Sequence, residues 1–136
     1  MNDLANEGMN WSTFQRILLN TWKPFIVDAL DCGSHTRTFD DIVDMIEQNR
    51  AFVVDNGTGC FIIMEILQYP RHRTLHGAVA GGDLKALHDL EPMMHEYARV
   101  CDCKYLTVAG RPGWLRDLKG DGWKHDFVTV YKEVEQ

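Results

Sequence analysis

Residues 51–85, AFVVDNGTGCFIIMEILQYPRHRTLHGAVAGGDLK, decide the fold. Ala51–Asp55 and Cys60–Leu67 are rich in β-branched and aromatic side chains, which suit a pleated, half-buried surface. Between them Asn56, Gly57, Thr58 and Gly59 supply an Asn-Gly turn, so the two runs predict a β-hairpin. Tyr69–Arg73 carries Pro70 and reads as a second turn, after which Thr74–Ala80 returns as a third antiparallel strand. Gly81 and Gly82 interrupt that strand, and Asp83 is placed to cap a following helix.

Downstream, Leu84, Leu87, Leu90, Met94, Tyr97, Ala98 and Cys101 form the inner face of that helix. Proline inside a helix costs about 3 kcal/mol. Pro92 therefore predicts a short turn to Leu87, a break, and a new helix capped by Asp89 that runs to Val100. Lys104–Ala109 reads as a buried strand, Gly110–Gly113 as a loop, Trp114–Lys119 as a short helix and Trp123–Val134 as a last strand or hairpin half.

Upstream, Thr38 and Asp41 have capping-box spacing ahead of Phe39, Ile42, Val43 and Ile46, which predicts a helix. Ser12 and Gln15 have the same spacing, and Trp11, Phe14, Leu18 and Trp22 recur at helical intervals, so a first helix is expected to end before Pro24. A second short helix over Phe25–Leu30 would stop at Gly33, and residues 34–37 read as a loop. Residues 1–10 read as a mobile lead-in, leaving one domain over 11–136. The expected architecture is mixed α/β: a central, mostly antiparallel sheet with helices on both faces.

With 14 Lys and Arg against 20 Asp and Glu, the net charge of −6 repels a nucleic-acid backbone, so no direct nucleic-acid partner is expected. No apolar run reaches the roughly 18–20 residues of a membrane span, and the N-terminal residues lack the pattern of a signal peptide. Cys32, Cys60, Cys101 and Cys103 show no paired framework, which fits free thiols in a reducing compartment. A soluble, cytoplasmic protein is the expectation.

Near the C-terminus, GluTyrAlaArg (96–99) precedes LysTyrLeuThrValAlaGlyArgProGlyTrpLeuArgAspLeu (104–118) and GlyAspGlyTrp (120–123). This stretch, following a strand meander and helix, resembles the small GNAT-like proteins encoded by tailed bacteriophages. The resemblance implies the GNAT fold, acyl-CoA-dependent N-acyltransfer, acetyl-CoA or another acyl-CoA as cofactor, and a place in the host cytoplasm or the virion. It puts the coenzyme diphosphate at Val79, Ala80, Gly81, Gly82 and Lys85, where backbone N–H groups converge at a helix start. The family's usual Gln/Arg-x-x-Gly-x-Gly/Ala signature is replaced here by ValAlaGlyGlyAspLeuLys, with a carboxylate at Asp83. The same residues also make an ordinary strand-to-helix turn with a capping aspartate.

Acyl transfer needs a base for the attacking amine and an acid for the leaving thiolate. His76 and Glu65 on neighbouring strands, and Tyr131 on the last one, are the candidates. The competing reading points His76 and Glu65 to solvent and Tyr131 into the core. His88, Glu91 and His95 have i, i+3, i+7 spacing, but Pro92 interrupts their helix, so a solvated face is expected in place of a metal site. Arg111, Trp114 and Arg116, with Trp123, form a basic and aromatic group suited to a protein partner or, alternatively, to closing the core. Two functions follow: an acyl-CoA N-acyltransferase, or a non-catalytic phage accessory or virion-associated protein acting through protein contacts.

Overall fold

The hairpin around Asn56-Gly57 forms in the computed structural model, which describes residues 11–32, 36–110 and 118–134. Strand β1 (Ala51–Val54) pairs antiparallel with β2 (Cys60–Gln68), with Val53 opposite Ile63. The connecting loop is held by Asp55 and Asn56, whose side-chain oxygens accept from the N–H groups of Gly57 and Thr58. Strand β3 (Arg73–Gly82) runs antiparallel to β2 and reaches past Ala80, so the two glycines belong to the strand and do not end it. Strand β4 (Tyr105–Val108) lies parallel to β3, giving the sheet order β1-β2-β3-β4.

Helices cover both faces, which explains why six consecutive residues of β2 are buried without alternation. One face packs Leu19 and Ile26 of α1 (Trp11–Cys32) and Ile42 and Ile46 of α2 (Phe39–Glu47) on Val53, Phe61 and Ile63. The other packs Leu87, Leu90, Met94 and Tyr97 of α3 (Leu87–Val100) on Phe52, Ile62, Met64 and Leu75. Full burial of each such side chain contributes about 1.5–3 kcal/mol. The capping box predicted at α2 is present: Asp41 N–H donates to Thr38 Oγ1 at 3.2 Å, and Thr38 N–H donates to Asp41 Oδ2 at 2.8 Å.

Three expectations are corrected. The N-terminal helix does not end before Pro24. It is one 22-residue helix through that proline, because Gln15 and Leu19 on one side and Ile26 on the other are all anchored on the sheet. The helix after β3 begins not at Asp89 but at Leu87, behind a 3₁₀ turn over Leu84–Ala86, and carries Pro92 inside it. Trp123–Val134 forms no strand: these residues have no regular secondary structure, and Tyr131 is 89% exposed. The expected Gly33 stop and most of the Trp114–Lys119 helix lie outside the described residues.

Gln15 is a side chain whose role local spacing missed. It does not cap a helix start but is fully buried, where its Oε1 accepts from Val53 N–H at 2.6 Å and its Nε2 donates to Val53 C=O at 3.2 Å. One amide thus bonds the outer edge of β1, where no neighbour strand pairs among the described residues. Replacing Gln15 with Leu leaves both Val53 groups buried and unpaired, and should lower the unfolding free energy by about 2–4 kcal/mol in urea titrations. A loss within the few tenths typical of an exposed site would contradict this anchoring role.

Candidate functional site

Strand register brings two of the three sequence-derived catalytic candidates together. Glu65 stands directly opposite His76 across β2 and β3, and His76 stands opposite Thr107 across β3 and β4. Cross-strand partners share a face. The resulting polar row of Glu65, His76 and Thr107 lies on the α1 and α2 side, continuing the line of Phe61 and Ile63.

Glu65 does not point to solvent. It is 6% exposed, and Arg37, from the loop before α2, meets its carboxylate at 2.8 Å. Removing Arg37 is costly, since the Glu65 carboxylate alone would be an uncompensated buried charge. His76 is half-buried, and its Nδ1 shares a hydrogen bond with Thr107 Oγ1 at 2.7 Å. Burial holds the imidazole below its ordinary 6.5, with Glu65 opposing that shift and Arg37 adding to it. A neutral imidazole fixed through one nitrogen, with Nε2 making no hydrogen bond among the described residues, can accept a proton. Tyr131 is not part of this row, lying in the exposed segment after Trp123.

Next to His76 the sheet changes. Ile63 pairs with Val79 but Met64 pairs with Gly77, so Ala78 is an extra residue, a β-bulge. Pairing with β4 ends at the same point, at Val108 opposite Gly77, with Ala109 N–H on the Gly77 carbonyl at 3.1 Å. Among the described residues, no strand pairs with Ala78–Gly82 on that side.

The turn beyond Gly82 is already filled by the protein itself. Asp83 N–H donates to Gly59 C=O at 2.9 Å, Lys85 N–H donates to the Asp83 carboxylate at 3.1 Å, and Ala86 N–H donates to Asp83 C=O at 2.9 Å. Internal packing also accounts for both glycines. A Cβ on Gly81 would sit 2.8 Å from the Phe61 ring, and one on Gly82, at φ +85°, would sit 2.4 Å from Gly59 O. The N–H groups of Asp83, Lys85 and Ala86 are therefore occupied, and a carboxylate lies where a diphosphate needs positive potential. As it stands, the Asp83 turn does not fit a diphosphate.

Other candidates fall elsewhere. His88 bonds the Asp121 carboxylate, and Glu91 accepts from the Trp123 indole and stands 3.9 Å from His95. Among the described residues no three His, Cys, Asp or Glu side chains are grouped to hold a metal. Burial pushes the Cys60 thiol up to about 11 and raises Cys101 and Cys103, so none of these three offers a thiolate at neutral pH. Arg111, Trp114 and Arg116 lie outside the described residues. Sequence reading missed Arg37 and Thr107, because only tertiary register joins them to Glu65 and His76.

The lowered pKa of His76 has a definite sign in stability. Below its ordinary 6.5 the unfolded chain takes up a proton that the folded chain resists, so stability falls as pH drops from 6.5 toward the folded value. His76→Gln should flatten the slope of unfolding free energy against pH in that window; an unchanged slope would contradict the environment described.

No family model matches the sequence, and no curated protein is similar to it in sequence. Solved structures match in shape. A probable acetyltransferase superposes with a TM-score of 0.63 at 8% identity, over 87% of this chain and 93% of its own. A tetramutant of the BH1408 protein of Bacillus halodurans gives 0.56 at 10% identity over 88% and 91%. A point mutant of the TTHA1254 protein of Thermus thermophilus gives 0.54 at 14% identity over 81% and 91%. At these identities the likeness concerns the fold, and that fold is acetyltransferase-like, of the GNAT type.

Proposed function

We propose that the chain is a non-catalytic protein of acetyltransferase-like fold that works through protein contacts, as an accessory or virion-associated protein of a tailed phage. The phage setting is supported by the resemblance of residues 96–131 to such proteins. One observation carries the protein-contact reading. From Phe127 to Val134, five apolar side chains (Phe127, Val128, Val130, Tyr131 and Val134) are 72–89% exposed in a segment with no secondary structure. A folded monomer rarely leaves so continuous an apolar stretch to water, and such stretches mark binding surfaces. Arg111, Trp114 and Arg116, the basic and aromatic residues that the sequence suits to a protein partner, are assigned to protein contact in the same reading. The self-filled turn at Asp83 agrees with this, since a fold that has given up coenzyme binding is free to close that gap.

A second reading rests on the row of Glu65, His76 and Thr107. In it the chain is an N-acyltransferase, with His76 taking a proton from an acceptor amine while Arg37 and Glu65 fix the wall behind it. An acyl-CoA would supply the activated acyl group, held by donors other than those of the Asp83 turn.

Two measurements separate the readings. A coenzyme at 100 times its dissociation constant adds about 2.7 kcal/mol of stability. The first reading predicts no shift of the thermal melt at millimolar acetyl-CoA, and a clear shift would favour the second. A photo-crosslinker at position 131 should form one defined protein adduct, lost in Phe127→Asp with Val130→Asp while the melt stays unchanged. An adduct that survives those substitutions, or none at all, would overturn the contact surface.

A further inference from the structure

A basic depression of about 450 Å³ lies at the end of the sheet opposite the Asp83 turn. β3 separates the two places by its whole length, about 30 Å at the usual rise per residue. Two turns build it side by side. In the β2–β3 turn, Tyr69 N–H bonds the His72 carbonyl at 2.9 Å. In the α3–β4 turn, Asp102 adopts φ 58° and Lys104 N–H bonds the Arg73 carbonyl at 2.8 Å. These tight turns bring Arg71, His72, Arg73 and Lys104 around one concavity, with Asp102 as its single carboxylate.

Arg16, Arg37 and Arg99 each sit within ion-pairing distance of a carboxylate, but Arg71, Arg73 and Lys104 have none among the described residues. Arg73 is held by neutral acceptors, Nε to Gln68 Oε1 at 2.9 Å and Nη1 to the Cys101 carbonyl at 2.8 Å. Its guanidinium is thereby oriented while its charge remains uncompensated. His72 is wedged between the Tyr69 and Tyr105 rings, with centroids at 5.5 and 4.8 Å, which fixes that wall. In a protein of net charge −6, three cations concentrated without carboxylate partners carry a repulsive cost that an anion would relieve. The volume lies within the roughly 300–1,000 Å³ range of small-molecule sites.

From this arrangement we infer that the depression binds a phosphate-bearing small molecule of nucleotide size, its phosphate oxygens facing Arg71, Arg73 and Lys104. Oriented guanidinium groups suit phosphate because they offer paired N–H donors, and Lys104 adds a mobile point charge. This site is independent of the protein-contact reading and of the His76 row.

The experiment is a two-dimensional NMR titration of the full chain with inorganic pyrophosphate, ADP, adenosine and a short single-stranded oligonucleotide. Pyrophosphate and ADP should move the amides of Tyr69–Arg73 and Asp102–Lys104, and adenosine should not. Arg71→Ala with Lys104→Ala, both at exposed positions, should weaken ADP binding at least about tenfold without changing the melt. The inference is overturned if those amides stay still at millimolar ADP or if the double variant binds equally well. It is also overturned if the oligonucleotide binds more tightly than ADP, which would make the patch a nucleic-acid contact.

Discussion

The carbonyl of Gly59 takes the N–H of Asp83 where the β1–β2 loop meets the end of β3 at close range. Gly82 makes the approach possible, being left-handed at φ +85° with no side chain to strike Gly59 O. From that contact the chain is aimed into the 3₁₀ turn and α3, whose inner face forms half the core. The same contact occupies a backbone donor of the turn to which the resemblance assigns a diphosphate. Each backbone donor that ties β3 to α3 there is one withdrawn from any ligand.

Elsewhere the sheet resolves its open edges unequally. The outer edge of β1 is satisfied by the Gln15 amide, whereas β4 pairs with β3 for only four residues and then departs at the bulge. The polar row of Glu65, His76 and Thr107 sits just before that departure, on strands held rigid by the core below them. The chain thus keeps the frame of an acetyltransferase-like fold and a positioned imidazole, with the Asp83 turn bonded internally. Elsewhere on the same frame lie an exposed apolar segment after Trp123 and a basic depression.

What the sequence disclosed was local. The Asn56-Gly57 hairpin, the Thr38 capping box and the third strand came from residue types at fixed short spacing, and the structure has them where they were expected. Pro24 and Pro92 misled because a proline penalty of a few kcal/mol is smaller than the burial that anchors the helix on either side. Of the candidate site, His76 and Glu65 were found on chemistry and strand position, but their shared row depended on register. Arg37 and Thr107 gave no local signal, and Gln15 gave a misleading one, since its buried partner is 38 residues away. The last strand failed for a related reason: β-propensity in Trp123–Val134 specifies a strand only where a neighbour is available to pair with it.

The most direct test of the sealed turn is to follow the backbone amides of Gly81–Ala86 by NMR while acetyl-CoA is added to millimolar concentration. The account predicts that these resonances stay in place and that the Asp83 and Lys85 amides remain protected from hydrogen exchange, because Gly59 and the Asp83 carboxylate already hold them. Saturable shifts centred on Asp83 and Lys85, with their protection transferred to the coenzyme, would contradict it.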